Sequence, residues 1–299
     1  MTQTLRDDQL IGTTAATAPG LLRLLARNRA ALVAAAVIAG FLLMAALAPM
    51  LAPYDPNQQR SEAIRVPPVW QAGGSPRFLL GTDSLGRDLV SRIVYGARVS
   101  ITLGVVVVLL TMIVGTGLGL LAGYFGGWFD AFVSRIVDVL LAFPFLIFAL
   151  AIMAATGPSL TALVLALAFK GWVDFYRVVR GDVLAARGAA YVTAARGLGA
   201  STAHIIFREI LPNVVPPIIV VATLRMATIV IAEASLSFLG IGVPPSIPAW
   251  GTMVSDGRAD IATAWWIATF PGLAILLLVL SVNLFGEGLR DALDPRLSL

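Results

Sequence analysis

Ionisable side chains stand inside stretches of this chain that are otherwise apolar: Arg135 and Asp138, Lys170, and Arg225 with Glu233. A charge in such surroundings is costly and is kept for a partner or for a function. Arg225 and Glu233 are eight residues apart, about two helical turns, so a helix presents them on roughly one face. A cation and a carboxylate so placed either line a path for a charged solute or lock the helix to a neighbour, and the sequence leaves both open. Arg135 and Asp138, at i and i+3, read as a local pair on one helix.

Other chemistries lack their residues. There is no G-x-x-x-x-G-K-[ST] loop; Lys170, the only lysine, follows Ala168 and Phe169, so no phosphate cradle of that kind exists for ATP. His204 is the only histidine, cysteine is absent, and neither H-E-x-x-H nor G-x-S-x-G occurs. Disulfides, thiolate or zinc sites and histidine-based triads are thereby excluded. The reading is of a chain with no catalytic set, no metal site and no cofactor of its own. Its net charge of +4 is nearly all arginine and suits anionic lipid headgroups; nucleic acid is not an expected partner.

The elements that must position these charges are membrane-spanning. The chain is 58% hydrophobic and only 13% charged, against about 25% charged in soluble domains, and its mean hydropathy is +0.88. Too little polar surface exists to cover a water-soluble core of 299 residues. Runs long enough to span as helices, roughly 20 apolar residues each, occur at 30–51, 99–124, 131–155, 160–176, 213–238 and 265–285. They are too long and too evenly apolar for barrel strands, so the expected fold is an all-α integral membrane protein of six transmembrane helices. The turn Thr156–Ser159, "TGPS", separates the third run from the fourth. Tyr54, Tyr124, Trp128, Trp172, Tyr176, Trp265 and Trp266 fall near the ends of the runs, where amphipathic rings settle at an interface.

Arg23, Arg27 and Arg29 before the first run, and Arg177, Arg180, Arg187, Arg196 and Arg208 after the fourth, argue for a cytoplasmic N-terminus. Six arginines between Arg60 and Arg98 oppose that count. Ala46-Leu47-Ala48 resembles a signal-peptidase site, but the apolar run is longer than a usual signal h-region and the segment is kept as an anchor. Residues 1–28 read as a polar N-terminal leader, 29–98 as the first helix plus an external segment, and 99–299 as a core of five helices.

One polar segment, "AAYVTAARGLGASTAHIIFREILPN", interrupts the apolar chain between residues 189 and 213. Tyr191, Ala194, Ala195 and Leu198 recur at helical spacing and form a face of mostly small side chains. Such a face suits close docking into a groove of another protein; lying on lipid headgroups is the alternative. Pro212 is expected to stop the hydrogen-bond ladder and Asn213 to cap the helix that re-enters the membrane.

This segment resembles the cytoplasmic coupling loop, the EAA loop, of ABC importer permeases. Three further stretches resemble the second membrane subunit of the dipeptide/oligopeptide permease family: "LLGTDSLGRDLVSRIVYGARVSITLG", "EASLSFLGIGVPPSIPAWGTMVSDGR" and "NLFGEGLRDALDPRL". Two departures stand out: Thr193 occupies the position of the glutamate that names the loop, and Glu209 stands where His or Ile is common.

The resemblance implies a type I importer fold with a coupling helix in the loop 185–212, and coupling contacts through Tyr191, Thr193, Ala194, Ala195, Arg196, Gly199, Ala200, Glu209, Leu211 and Pro212. It implies a homologous permease subunit as heterodimer partner, two ABC ATPase subunits carrying ATP and Mg, and an extracytoplasmic solute-binding protein. The location would be the bacterial inner membrane, with both termini cytoplasmic. Arg225 and Glu233 become translocation-path candidates, since peptides carry both charges, and Pro245 and Trp250 external gate candidates in a stiff loop. The segment around "GRDLVSRIVYGAR" would lie along the outer membrane surface. Dipeptides or oligopeptides are the implied cargo, with nickel chelate or glutathione as alternatives; a proton-coupled carrier or channel is the rival class.

Overall fold

Asn28 opens the first helix by accepting a hydrogen bond from the Ala31 N–H at 3.1 Å. The computed structural model describes residues 28–293. The leader expected over 1–28 therefore lies, apart from Asn28, outside the described residues, as does the end of the last quoted stretch. Helix α1 is Arg29–Ala46, followed by a short turn of helix at Ala48–Leu51 and a long irregular segment. Then come α2 Leu89–Phe125, α3 Gly127–Ala142, α4 Phe145–Thr156 and α5 Leu160–Arg187. After α6, Ala190–Gly197, the chain enters α7, Leu211–Phe238. The short α8, Trp250–Gly257, precedes α9, Trp266–Leu293. The described residues contain no strand.

Among the described residues, four helices are long and apolar enough to cross a membrane, or five spans if α3 and α4 count as one broken span. The remaining run expected from sequence is the first part of α5. Its length of 28 residues suffices, but Lys170, Asp174 and Arg177 dilute its apolar stretch.

Two expectations are corrected. The run 131–155 is not one straight helix: it breaks at Phe143-Pro144, and α3 and α4 meet at 91°. Pro144 has no N–H for the ladder and disfavours helix at the residue before it; Phe143 is accordingly extended. The second run does not begin at residue 99, because the segment around Arg92 is already helix. It is the start of α2, whose 37 residues extend about 55 Å, well beyond a hydrocarbon core of about 30 Å. Asp88 starts that helix, accepting from the Ser91 N–H at 2.8 Å, and Gly126 ends it at φ 65°.

Helices α2 and α5 form the most extensive pair. Gly115, Gly119 and Gly123 recur every four residues along the seam. An added Cβ would stand 2.6 Å from Phe175 Cβ at Gly115, 2.8 Å from Val179 Cβ at Gly119, and 2.8 Å from Val183 Cβ at Gly123. Lipid is as apolar as leucine, so helices associate in it through close approach of this kind. The main core lies between α2, α4, α5 and α7, around Leu103, Val107, Leu163, Phe175 and Leu236. A second core joins α1, α2, α8 and α9 around Phe41, Leu89, Trp250 and Leu278.

Candidate functional site

The polar segment between α5 and α7 folds against the end of the bundle. Val192, Ile205, Ile206 and Ile210 are buried and anchor it, with Ala195, Ala200 and Leu211 partly buried beside them. The opposite face is open: Tyr191, Thr193, Ala194, Arg196, Gly199 and Pro212 are exposed, and Leu198 is 89% exposed. Phe207, at the start of the helix that leads into α7, is also exposed, so large apolar side chains stand uncovered at this end of the bundle.

The loop 185–212 does not hold one continuous helix. Helix α6 ends at Leu198, and Gly199 turns the chain at φ +82°, a conformation that a side chain opposes. Ser201 then starts a new turn by accepting from the His204 N–H at 3.3 Å. Thr193, in the glutamate position, donates its hydroxyl to the Ala189 carbonyl at 3.2 Å. Glu209 lies 3.5 Å from the His204 ring.

Pro212 does not stop the helix. Residues 205–210 form a π-helical turn in which the Leu211 N–H reaches the Ile206 carbonyl, so helix runs unbroken from Thr202 to Phe238. The widened turn accommodates a proline that cannot donate. Asn213 is not an N-cap; its side-chain amide donates to the Glu209 carbonyl at 2.7 Å. Residues 202–210 and α7 are thus one continuous helix, which α6 joins through the turn at Gly199.

The other end of α7 meets the irregular segment 52–88. Asn57 Nδ2 donates to the Ser246 carbonyl at 2.7 Å, Arg65 pairs with Asp260 at 3.0 Å, and Trp266 Nε1 donates to the Thr82 carbonyl at 3.0 Å. Arg87 bridges Asp83 at 2.6 Å and Asp256 at 3.2 Å. Burial raises the Asp88 carboxyl above its ordinary range, against the opposing effects of the Ser91 donors and the Arg60 charge. Trp250, expected as a gate, is fully buried within this cap: Gly96 of α2 leaves room for its ring, and Phe41 packs edge-on to it. Pro245 remains exposed on the loop before it.

The charges within the bundle divide differently from their spacing. Arg225 pairs with Asp174 on α5, not with Glu233. Glu233 is 1% exposed and accepts from Ser237 Oγ at 2.8 Å and Ser100 Oγ at 3.3 Å, so it is enclosed between α2 and α7. Two turns of helix leave Arg225 at a cavity and Glu233 inside the packing. Arg135 and Asp138 are both exposed, and no ion pair joins them.

Lys170 Nζ donates to the Phe143 carbonyl at 2.8 Å, holding the end of α3 at the break. Lys170, Asp174 and Arg225 line one cavity of about 220 Å³ with Thr111, Thr228 and apolar side chains. Sequence reading missed Asp174, although its i, i+4 spacing from Lys170 was a usable signal. It also missed Asp130, which takes a two-pronged ion pair from Arg180 on α5, one prong at 2.7 Å. Fifty residues separate that pair, so nothing local announces it. No group of three His, Cys, Asp or Glu suited to a metal occurs among the described residues.

Comparison with known proteins completes the picture. Residues 115–299 match the family described as binding-protein-dependent transport system inner membrane component. Residues 21–68 match the N-terminal transmembrane domain of oligopeptide transport permease C. The dipeptide transport system permease protein DppC of Haemophilus influenzae is 42% identical over 91% of this chain and 92% of its own length. DppC of Escherichia coli K12 is 47% identical over 91% and 90%. The glutathione transport system permease protein GsiD of Pectobacterium atrosepticum is 47% identical over 75% of each chain. In fold, the chain resembles the MetNI methionine ABC transporter in an inward-facing conformation, with a TM-score of 0.56 over 68% of this chain and 96% of that one at 19% identity. The chain belongs to the family of binding-protein-dependent transport system inner membrane components, with the type I fold of ABC transporter permeases.

Proposed function

We propose that this subunit forms half of the translocation pathway of an ATP-driven importer of short peptides. The observation that carries the cargo is the identity of 42% and 47% to two dipeptide permeases along nine-tenths of the chain. ATP and Mg belong to two ATPase subunits, one of which docks on the loop 185–212 through the exposed Tyr191, Ala194, Arg196, Leu198 and Gly199; the chain itself is not an enzyme. The end of that loop, from Thr202 on, runs without a break into the spanning helix, which supports that assignment. A homologous permease completes the pathway, and an extracytoplasmic solute-binding protein delivers cargo to the cap formed by residues 52–88 and α8. Both termini are cytoplasmic. The first helix with its external segment forms one region and the five later spans the core; the boundary expected at 98 falls inside α2, so the core begins with that helix at Leu89. Pro245 lies on the delivery side, Trp250 serves as an anchor of the cap, and Arg225 faces the path.

Glutathione is the second cargo reading, on the strength of its permease relative. It is itself a short peptide carrying free carboxylates. A proton-coupled carrier is disfavoured by the family, which works with a binding protein.

The experiment is reconstitution of the chain with its partner permease, ATPases and binding protein in proteoliposomes. Uptake of labelled dipeptide should require ATP and survive collapse of the proton gradient, and the purified chain alone should neither bind nor hydrolyse ATP. Uptake that follows the proton gradient without the ATPases defeats the reading.

A further inference from the structure

The charge balance of the cavity is incomplete. Two cations, Lys170 and Arg225, line it with one carboxylate, Asp174. Arg225 is paired with Asp174. Lys170 is not: its ammonium has the Phe143 carbonyl as acceptor, and among the described residues no carboxylate lies within ion-pair distance of it. An ammonium donates three hydrogen bonds, so two donors remain. Lys170, Asp174 and Arg225 are half-buried, and a net positive charge among apolar walls attracts an anion. The remaining walls supply hydroxyls, Thr111 and Thr228, and hydrocarbon. The volume, about 220 Å³, falls below the roughly 300–1,000 Å³ of a pocket that encloses a whole ligand. It suits one end of a molecule that extends further.

We propose that this cavity is a subsite for the carboxylate end of the transported peptide, with Lys170 as its principal partner and Arg225, steadied by Asp174, as the second cation. The assignment rests on the peptide reading of the function and deepens it: the permease itself reads the free C-terminus, in addition to any selection made by the binding protein. A carboxylate brings the cluster to neutrality and takes up the unused ammonium donors. A C-terminal amide does neither, and it leaves the peptide with a net positive charge that both cations repel. Because Lys170 also holds the Phe143 carbonyl, the carboxylate arrives beside the break between α3 and α4.

The test uses the complete nucleotide-free transporter in detergent, without binding protein, and the dipeptide Ala-Phe against Ala-Phe amide, titrated calorimetrically. Ala-Phe should bind saturably and its amide at least about tenfold more weakly, the scale of a charge-assisted hydrogen bond. Lys170→Gln removes the charge yet keeps a donor for the Phe143 carbonyl. It should bring Ala-Phe down toward the affinity of the amide, with Arg225 keeping any residual preference, and should not weaken the amide; Lys170→Arg should restore the difference. Equal affinities in the wild type, or equal weakening of both ligands by Lys170→Gln, or no saturable binding of Ala-Phe to the wild type, overturns the subsite. The comparison of the two ligands on the wild type needs no variant and decides the question if a variant fails to assemble. Uptake of Ala-Phe by the full system with binding protein separates the two readings. Normal uptake without discrimination sinks the subsite alone, and absence of uptake sinks the peptide function.

Discussion

The Trp250 indole N–H donates to the main-chain carbonyl of Ile93 at 3.0 Å, pinning α8 to the first turns of α2. The ring fills the notch at Gly96, where an added Cβ would stand 2.6 Å from it. Trp250→Ala should therefore destabilise the purified complex by about 3–5 kcal/mol, the cost of emptying a large aromatic site. Trp250→Phe, which keeps most of the packing and loses the hydrogen bond, should cost about 0.5–1.5 kcal/mol. Thermal unfolding followed by size exclusion reads both. A Trp250→Phe protein with unchanged stability and altered uptake would restore the gate role that burial argues against.

The glycine seam makes a sharper contrast within a single helix. Gly119 faces Val179 Cβ at 2.8 Å and the Tyr176 carbonyl at 3.0 Å from its would-be Cβ, whereas at Gly117 nothing lies within 4 Å. Gly119→Leu should destabilise by at least about 1–3 kcal/mol through overpacking, and Gly117→Ala should leave thermal stability unchanged. Equal behaviour of the two would mean that α2 and α5 do not meet along this face.

Hydropathy made most of the spans legible, because an apolar run of about 20 residues has few other uses. It did not reveal the break at Phe143-Pro144, since one proline in a greasy run reads equally as a kink. It placed the start of α2 ten residues late: arginine-rich sequence looks like loop, and only the tertiary cap explains why Arg92 can be buried in a helix. Helical spacing assigns Arg225 and Glu233 to roughly one face, but face is coarser than environment. Partners came from other helices, Asp174 for one and Ser100 for the other. The segment 189–213 was legible as a distinct unit because its polar, small-residue pattern contrasts with everything around it. The role of Gly199 was not, since nothing in the sequence distinguishes a glycine needed for close approach from one needed for a left-handed turn.

That distinction gives the test of coupling. A Cβ at Gly199 would meet nothing within 4 Å, while its φ is +82°, so within this chain the glycine serves the turn. Gly199→Ala should cost about 1–2 kcal/mol of local strain, and Gly199→Asn, which tolerates the left-handed region, should cost less. Bulk belongs at Ala194, exposed on the open face. Ala194→Trp and Leu198→Asp should leave the spans folded and inserted, abolish co-purification of the ATPase and stop uptake. If the segment lies on lipid instead, Ala194→Trp is welcome at the headgroups, and the ATPase stays bound.

Orientation can be read with single cysteines, because the chain has none of its own. The contacts constrain the pattern before any label is added. Asn57 with Ser246, Arg65 with Asp260, and Thr82 with Trp266 tie the segment 52–88 to the region around α8, so both occupy one face of the membrane. Ser246 and Ser201 flank the unbroken helix Thr202–Phe238, whose 37 residues reach about 55 Å and are long and apolar enough to cross. Ser246 and Ser201 are exposed, and Ser75 is half-buried. In sealed right-side-out vesicles, Ser246→Cys should react quickly with a membrane-impermeant thiol reagent and Ser75→Cys more slowly. Ser201→Cys should react only after the vesicles are opened. The reverse pattern would overturn the cytoplasmic placement of the termini and leave the fold intact. Labelling of Ser75→Cys and Ser246→Cys from opposite sides would contradict the fold itself, because their segments could not then form the cap.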